Sequence, residues 1–198
     1  MTKKIGITGG IASGKSAVAR MVESKGFPVF YSDNVAKSFL VHDSETIKAV
    51  KDLIGKDAYY ENGEPNKKFI AHQIFGHDDI REKLNHIIHP KVKIAYDQFV
   101  ADHADKKVVF HEAALMYQAG FDKFMDSVIF VTSSVKTRIE RALNRDGITK
   151  DEILNRIKAQ GNLEEFEKQS AFVIKNEGSL EHLESEVNNV INRIIALN

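Results

Sequence analysis

The chain has no cysteine, no tryptophan, three prolines and no excess of either charge. Without cysteine it has no disulfide, no thiol nucleophile and no thiolate metal site, which fits a reducing compartment. Its 28 basic and 28 acidic residues cancel with His neutral. That balance argues against a general nucleic-acid binder, which carries a basic excess. No apolar run approaches the roughly 20 residues that span a bilayer. The amino terminus enters an extended stretch at once and lacks the apolar centre of a signal peptide. A cytoplasmic location with no membrane partner is therefore expected. Internal repeats, low-complexity tracts and a disordered tail are also missing. What remains is the composition of a globular protein, 42% hydrophobic and 28% charged over 198 residues, long enough to bury a sizeable core.

The stretch Gly9-Gly10-Ile11-Ala12-Ser13-Gly14-Lys15-Ser16 fits G-x-x-x-x-G-K-[ST], a phosphate-cradling loop. Lys3 to Thr8 before it reads as a buried first strand. After it, Val18, Met21 and Val22 recur at helical spacing until Gly26, a good residue to follow a helix. Glycine positions let the backbone approach phosphate oxygens closely, and the N–H groups then point inward at the positive end of the helix dipole. Lys15 is placed to reach the β- and γ-phosphates of a bound nucleotide, and the Ser16 hydroxyl to hold Mg²⁺.

A second buried strand, 27–32, ends at Asp33, which belongs at the same sheet edge as Lys15 and also suits a cap for a helix over 34–40. Val108-Val109-Phe110, Val128 to Val131 and Phe172-Val173-Ile174 supply three more strand candidates. The expectation is an α/β fold with a five-stranded parallel sheet. From about 41 to 105 the pattern is helical. Asp43 or Ser44 caps a helix stopped by Gly55, residues 59–65 form a turn, and Phe69 to Phe75 mark a short helix. A longer helix is expected to break at His89-Pro90, because the residue before proline disfavours the α region. Such a crossover exceeds what a βα connection needs, and it reads as an inserted helical lobe over a second substrate. The histidines there, His72, His77, His86 and His89, have no acidic or thiolate partners to complete a metal site.

Beyond the fourth strand, Ser134 caps a helix whose expected apolar face is Val135, Ile139, Ala142 and Leu143, with Arg138, Arg141 and Arg145 on a neighbouring face. Asp146-Gly147 makes a turn. Thr149 and Glu152 form a capping box, with Ile148 and Ile153 as a staple, for a helix presenting Arg156 and Gln160. Arginines beside a phosphate loop suit phosphoryl transfer, so this hairpin reads as a lid with Arg145 at its tip. A last helix with Leu180, Leu183, Val187, Val190, Ile191 and Ile194 on one face packs the sheet.

The glycine loop, Asp33-x-x-Ala36, His89-Pro90, Gly120-Phe121, the three-arginine helix, Arg156-x-x-x-Gln160 and Val173-Ile174-x-Asn176-x-Gly178 occur in one order. That series resembles the dephospho-coenzyme A kinases from end to end. The resemblance implies a P-loop kinase that transfers the γ-phosphate of ATP to the ribose 3′-hydroxyl of dephospho-coenzyme A. It implies catalytic roles for Lys15, Asp33 and Arg145. It also implies nucleotide contacts from residues 9–16, Arg141 and Asn176, with Mg²⁺ on Ser16. The core is expected in 1–40, 106–133 and 166–198, the acceptor lobe in 41–105 and the lid in 134–165. Three positions depart from the family pattern. Tyr31 stands where a second aspartate is frequent, Lys37 replaces a frequent arginine, and Gln118 replaces a carboxylate; Glu112 is the acidic residue at hand. The alternative is a P-loop kinase for another small acceptor, such as a nucleoside monophosphate. A switch or assembly ATPase is disfavoured, because Asn66-Lys67-Lys68-Phe69 lacks the aspartate of a guanine-reading segment.

Overall fold

The computed structural model describes residues 2–74, 77–147 and 149–196. They form two compact units, one of Met1–Tyr31 with Asp102–Asn198 and one of Ser32–Ala101. The expected Phe75 of a short helix and Ile148 of the staple lie outside the described residues.

The first unit is built on a parallel sheet of β1 (Lys3–Gly9), β2 (Val29–Tyr31), β3 (Val108–Glu112), β4 (Ser127–Thr132) and β5 (Phe172–Lys175). Its order is β2-β3-β1-β4-β5, with every pairing parallel. The five-stranded α/β expectation is met. Helices cover both faces of a parallel sheet, so its strands read as apolar runs, not as alternation; β3 is buried at every position. Helix α1 (Lys15–Ser24) follows β1 directly and is closed by Gly26 at a positive φ of 86°. Val18 and Val22 of α1 meet Ile5, Ile7, Phe110, Ile129 and Ile174 of the sheet in one apolar cluster.

In the second unit, α2 (Ser32–His42) and α3 (Ser44–Ile54) are followed by α4 (Lys67–Ile74) and α5 (Asp78–Asp102), the last residue of which falls in the first unit. Asp43 caps α3, accepting from the Thr46 N–H at 2.8 Å and from the Lys91 ammonium at 2.6 Å. The Lys91 hydrogen bond, with those from Thr46, pulls the Asp43 carboxyl down to about 2. Gly55 ends α3 at φ 99°.

Two expectations fail here. Asp33 does not cap α2 but lies inside its first turn, because the helix starts at Ser32. Nor does the chain break at His89-Pro90, since α5 runs through Pro90. Its buried residues are Leu84, Ile88, Val92 and Tyr96, an unbroken stripe at intervals of four. Burying that stripe outweighs a proline cost of about 3 kcal/mol.

In the first unit again come α6 (Val135–Asp146), α7 (Lys150–Ala159), α8 (Leu163–Gln169) and α9 (Leu180–Ala196). Ser134 caps α6, and Thr149 with Glu152 makes the capping box of α7 as expected. The apolar face of α6 is corrected in part, because Ile139 and Ala142 pack inward as expected while Val135 and Leu143 are exposed and Arg138 is buried. On α9, Leu183, Val187, Val190, Ile191 and Ile194 are buried, but Leu180 is exposed in the first turn. Helix α8 lies outside the elements expected from the sequence.

Candidate active site

The phosphate loop occupies the step from β1 to α1. Ala12 at φ 56° and Gly14 at φ 101° are both left-handed, two residues apart. Alternating hands of this kind turn successive N–H groups toward one concavity, a backbone anion nest. Ser13 N–H donates back to the Gly10 carbonyl at 3.1 Å, and the N–H groups of Ala17 and Val18 reach the Gly14 carbonyl at 2.9 and 3.1 Å. The N–H groups of Gly14, Lys15 and Ser16 find no acceptor among the described residues. They are the orphan donors of a helix start, where the macrodipole favours an anion.

The loop is held from outside by side chains far away in sequence. Asn176, buried just beyond β5, donates its amide to the Ser13 carbonyl at 2.8 Å. Its Nδ2 lies 2.1 Å from where a Cβ on Gly14 would stand, so no larger residue fits position 14. Arg141 leans on the same group, donating to the Asn176 Oδ1 at 3.4 Å and to the Ser13 carbonyl at 3.5 Å. On the other flank, Gln160 at the end of α7 accepts the Ile11 N–H at 2.7 Å. Gln118 in turn donates to the Gln160 carbonyl at 2.5 Å. An ionised carboxylate at 118 would have no proton to give there, so this contact needs the amide.

At the carboxyl ends of the strands, Tyr31, Glu112 and Ile7 share one register row. The Ser16 hydroxyl donates to Glu112 Oε1 at 3.0 Å, and Glu112 is buried. A hydroxyl and a carboxylate, both oxygen donors, suit a hard divalent cation such as Mg²⁺ that keeps waters and substrate phosphates in its shell. Beside Glu112, the His111 ring sits edge-on to Phe30 and Phe121, each with centroids 5.2 Å away. Burial pushes its imidazole down to about 3, so it is neutral. Tyr31 donates to Glu23 at 2.9 Å, and burial first, then that carboxylate, push its phenol up to about 12. It stays protonated.

The structure thus gathers residues 9–16, Arg141 and Asn176, with Glu112 joined to Ser16. Arg145 stands exposed in the last turn of α6, and Asp33 is exposed in the first turn of α2. Two residues near the loop were not expected as site residues, Gln160 and Arg138. Only the Arg156-x-x-x-Gln160 spacing pointed to the first. Nothing in an arginine on a charged helix distinguished the second.

The sequence model of the dephospho-CoA kinase family matches residues 3–182. The chain is 32% identical over 197 residues to a dephospho-CoA kinase of Listeria innocua, covering 98% of both chains. It superposes on a crystal structure from Thermus thermophilus with a TM-score of 0.83 at 28% identity, over 97% of both chains. A dephospho-CoA kinase structure from Campylobacter jejuni aligns over 98% of both chains with a TM-score of 0.71 at 24% identity, which speaks to the fold.

Proposed function

The chain belongs to the dephospho-CoA kinase family, and we propose that it phosphorylates the ribose 3′-hydroxyl of dephospho-coenzyme A with ATP. The products are coenzyme A and ADP, the last step of coenzyme A synthesis. Family membership over nearly the whole length carries this reading, and the braced loop at Gly9–Ser16 supports it.

The roles we assign follow from chemistry. Phosphoryl transfer needs positioning and charge stabilisation more than covalent help. The N–H groups of Gly14, Lys15 and Ser16, with the Lys15 ammonium, bind the β- and γ-phosphates. Ser16 and Glu112 would together hold Mg²⁺, which would supply charge neutralisation on the phosphates. Asp33, two residues after β2, takes the proton of the attacking hydroxyl. Arg145 meets the transferring group, with Arg141 beside it. Asn176 keeps the Ser13 to Gly14 segment in shape and flanks the adenine. The helical residues 41–105 take the long arm of the acceptor, and residues 134–165 act as the lid. None of the helices among the described residues is long and apolar enough to cross a membrane; we place the enzyme in the cytoplasm, with no nucleic-acid partner.

An acceptor screen with ATP and Mg²⁺ tests the substrate. Dephospho-coenzyme A is expected to yield ADP in equal amount, while AMP, CMP and UMP are poor acceptors. Phosphorylation of a monophosphate with none of dephospho-coenzyme A would remove the substrate assignment and leave a P-loop kinase.

A further inference from the structure

The arginine buried behind the phosphate loop is unlike its two neighbours on α6. Arg138 is only 6% exposed, and among the described residues its Nε and Nη1 have no hydrogen-bond partner and its guanidinium no ion pair. Its Nη1 stands 2.2 Å from the place a Cβ on Gly10 would occupy, with Leu163 Cδ1 3.1 Å from the same point. A side chain at position 10 would therefore have to push the end of Arg138 aside. Arg141, by contrast, has the Ser13 carbonyl and Asn176 as acceptors.

An unpaired guanidinium is a poor choice for filling space. Removing it from water is costly, and an uncharged residue of similar length would pack without that cost. Burial does lower its pKa, yet a guanidinium remains charged in any ordinary solution. A buried charge with no counter-ion among the described residues calls for an anion brought from outside. The group against which it lies is the phosphate loop.

We propose that Arg138 is a positioning cation of the phosphate loop, whose charge is balanced by the polyphosphate of the bound nucleotide across the Gly10 backbone. This rests on the reading that the loop binds ATP. Arg138 touches the loop and not the phosphates. Its attraction acts through protein, where the dielectric is low and salt screens little. It accordingly favours binding of a polyphosphate over a nucleoside. It contributes little to the chemical step, because its field acts on the bound phosphates before and during transfer alike.

The test uses the full chain with Arg138→Gln, Arg138→Lys and Gly10→Ala. Dissociation constants for ATP and ADP, melting temperatures with and without ATP, and the split between KM and kcat are measured. Arg138→Gln is expected to melt at or above the wild-type temperature without ligand. Its ATP should bind roughly tenfold more weakly, the size of one charge interaction in a medium of intermediate dielectric. KM for ATP should rise with kcat nearly unchanged, and Arg138→Lys should keep part of the affinity. Gly10→Ala displaces the flexible end of Arg138, so its loss of affinity should not add to that of Arg138→Gln. Wild-type ATP affinity in Arg138→Gln would overturn the inference, as would a loss of unliganded stability without rescue of affinity by lysine. Failure of the wild type itself to bind ATP would instead remove the reading beneath it.

Discussion

Two carboxylates carry different burdens in this account, and each has its own test. Asp33→Asn keeps the shape of the side chain in the first turn of α2 but removes the proton acceptor. General-base contributions are on the order of 10²–10⁴-fold, so kcat should fall within that range while ATP affinity holds. If activity per folded molecule is unchanged, Asp33 serves only the helix. Glu112→Gln leaves an oxygen for the Ser16 hydroxyl but weakens the hold on a cation. Disturbing a group this near a metal typically costs roughly 10–100-fold in metal affinity. The Mg²⁺ concentration for half-maximal rate should rise by that factor. An unmoved Mg²⁺ titration would reduce Glu112 to a partner of Ser16. At this scale the sequence was legible where one residue type has one use. Lys15 and Ser16 follow from the motif, whereas Glu112 needed the register of β3 against β1 to bring it beside Ser16.

Local signals read well where the chain's own chemistry ends an element. Asp43, Ser134 and the Thr149 capping box satisfy orphan N–H groups from a few residues away, and such short-range contacts are visible in sequence. The failures lie where tertiary burial overrides local preference. Pro90 sits exposed in α5 between Ile88 and Val92, both buried. The stripe wins. Because Pro90 is exposed, Pro90→Ala should restore a helix donor at little loss of packing and stabilise the protein by about 1–3 kcal/mol. Urea unfolding checks this, and a lower midpoint would mean the proline is needed where it stands. On α6 the same override changes half of the expected face, leaving Val135 and Leu143 exposed and Arg138 buried while Ile139 and Ala142 pack inward. No periodicity predicts that, because the cause is a glycine more than a hundred residues away at Gly10.

For the whole molecule, the core histidine predicts a loss of stability in acid. The folded pKa of His111, about 3, lies below its ordinary value of 6.5. Below 6.5 the unfolded chain binds a proton that the folded one refuses, so its contribution is complete above that pH and is lost as pH falls toward 3. His89, lowered mainly by burial and then by His86, acts in the same direction. His111→Phe keeps an aromatic ring between Phe30 and Phe121 and should flatten the fall in unfolding midpoint between about pH 6.5 and 5.5, where a histidine titrates and ordinary carboxylates remain almost fully ionised. An unchanged slope would place the acid limb elsewhere. The same sheet that buries His111 carries the phosphate loop at the end of β1, and the chemistry at that edge is the central claim. It is tested most directly by the position of the transferred phosphate. With dephospho-coenzyme A, ATP and Mg²⁺, phosphorus NMR of the isolated product should show one new monoester on the ribose 3′-oxygen, formed in step with ADP. A phosphate on any other oxygen, or ADP formed with no phosphorylated acceptor, would contradict it.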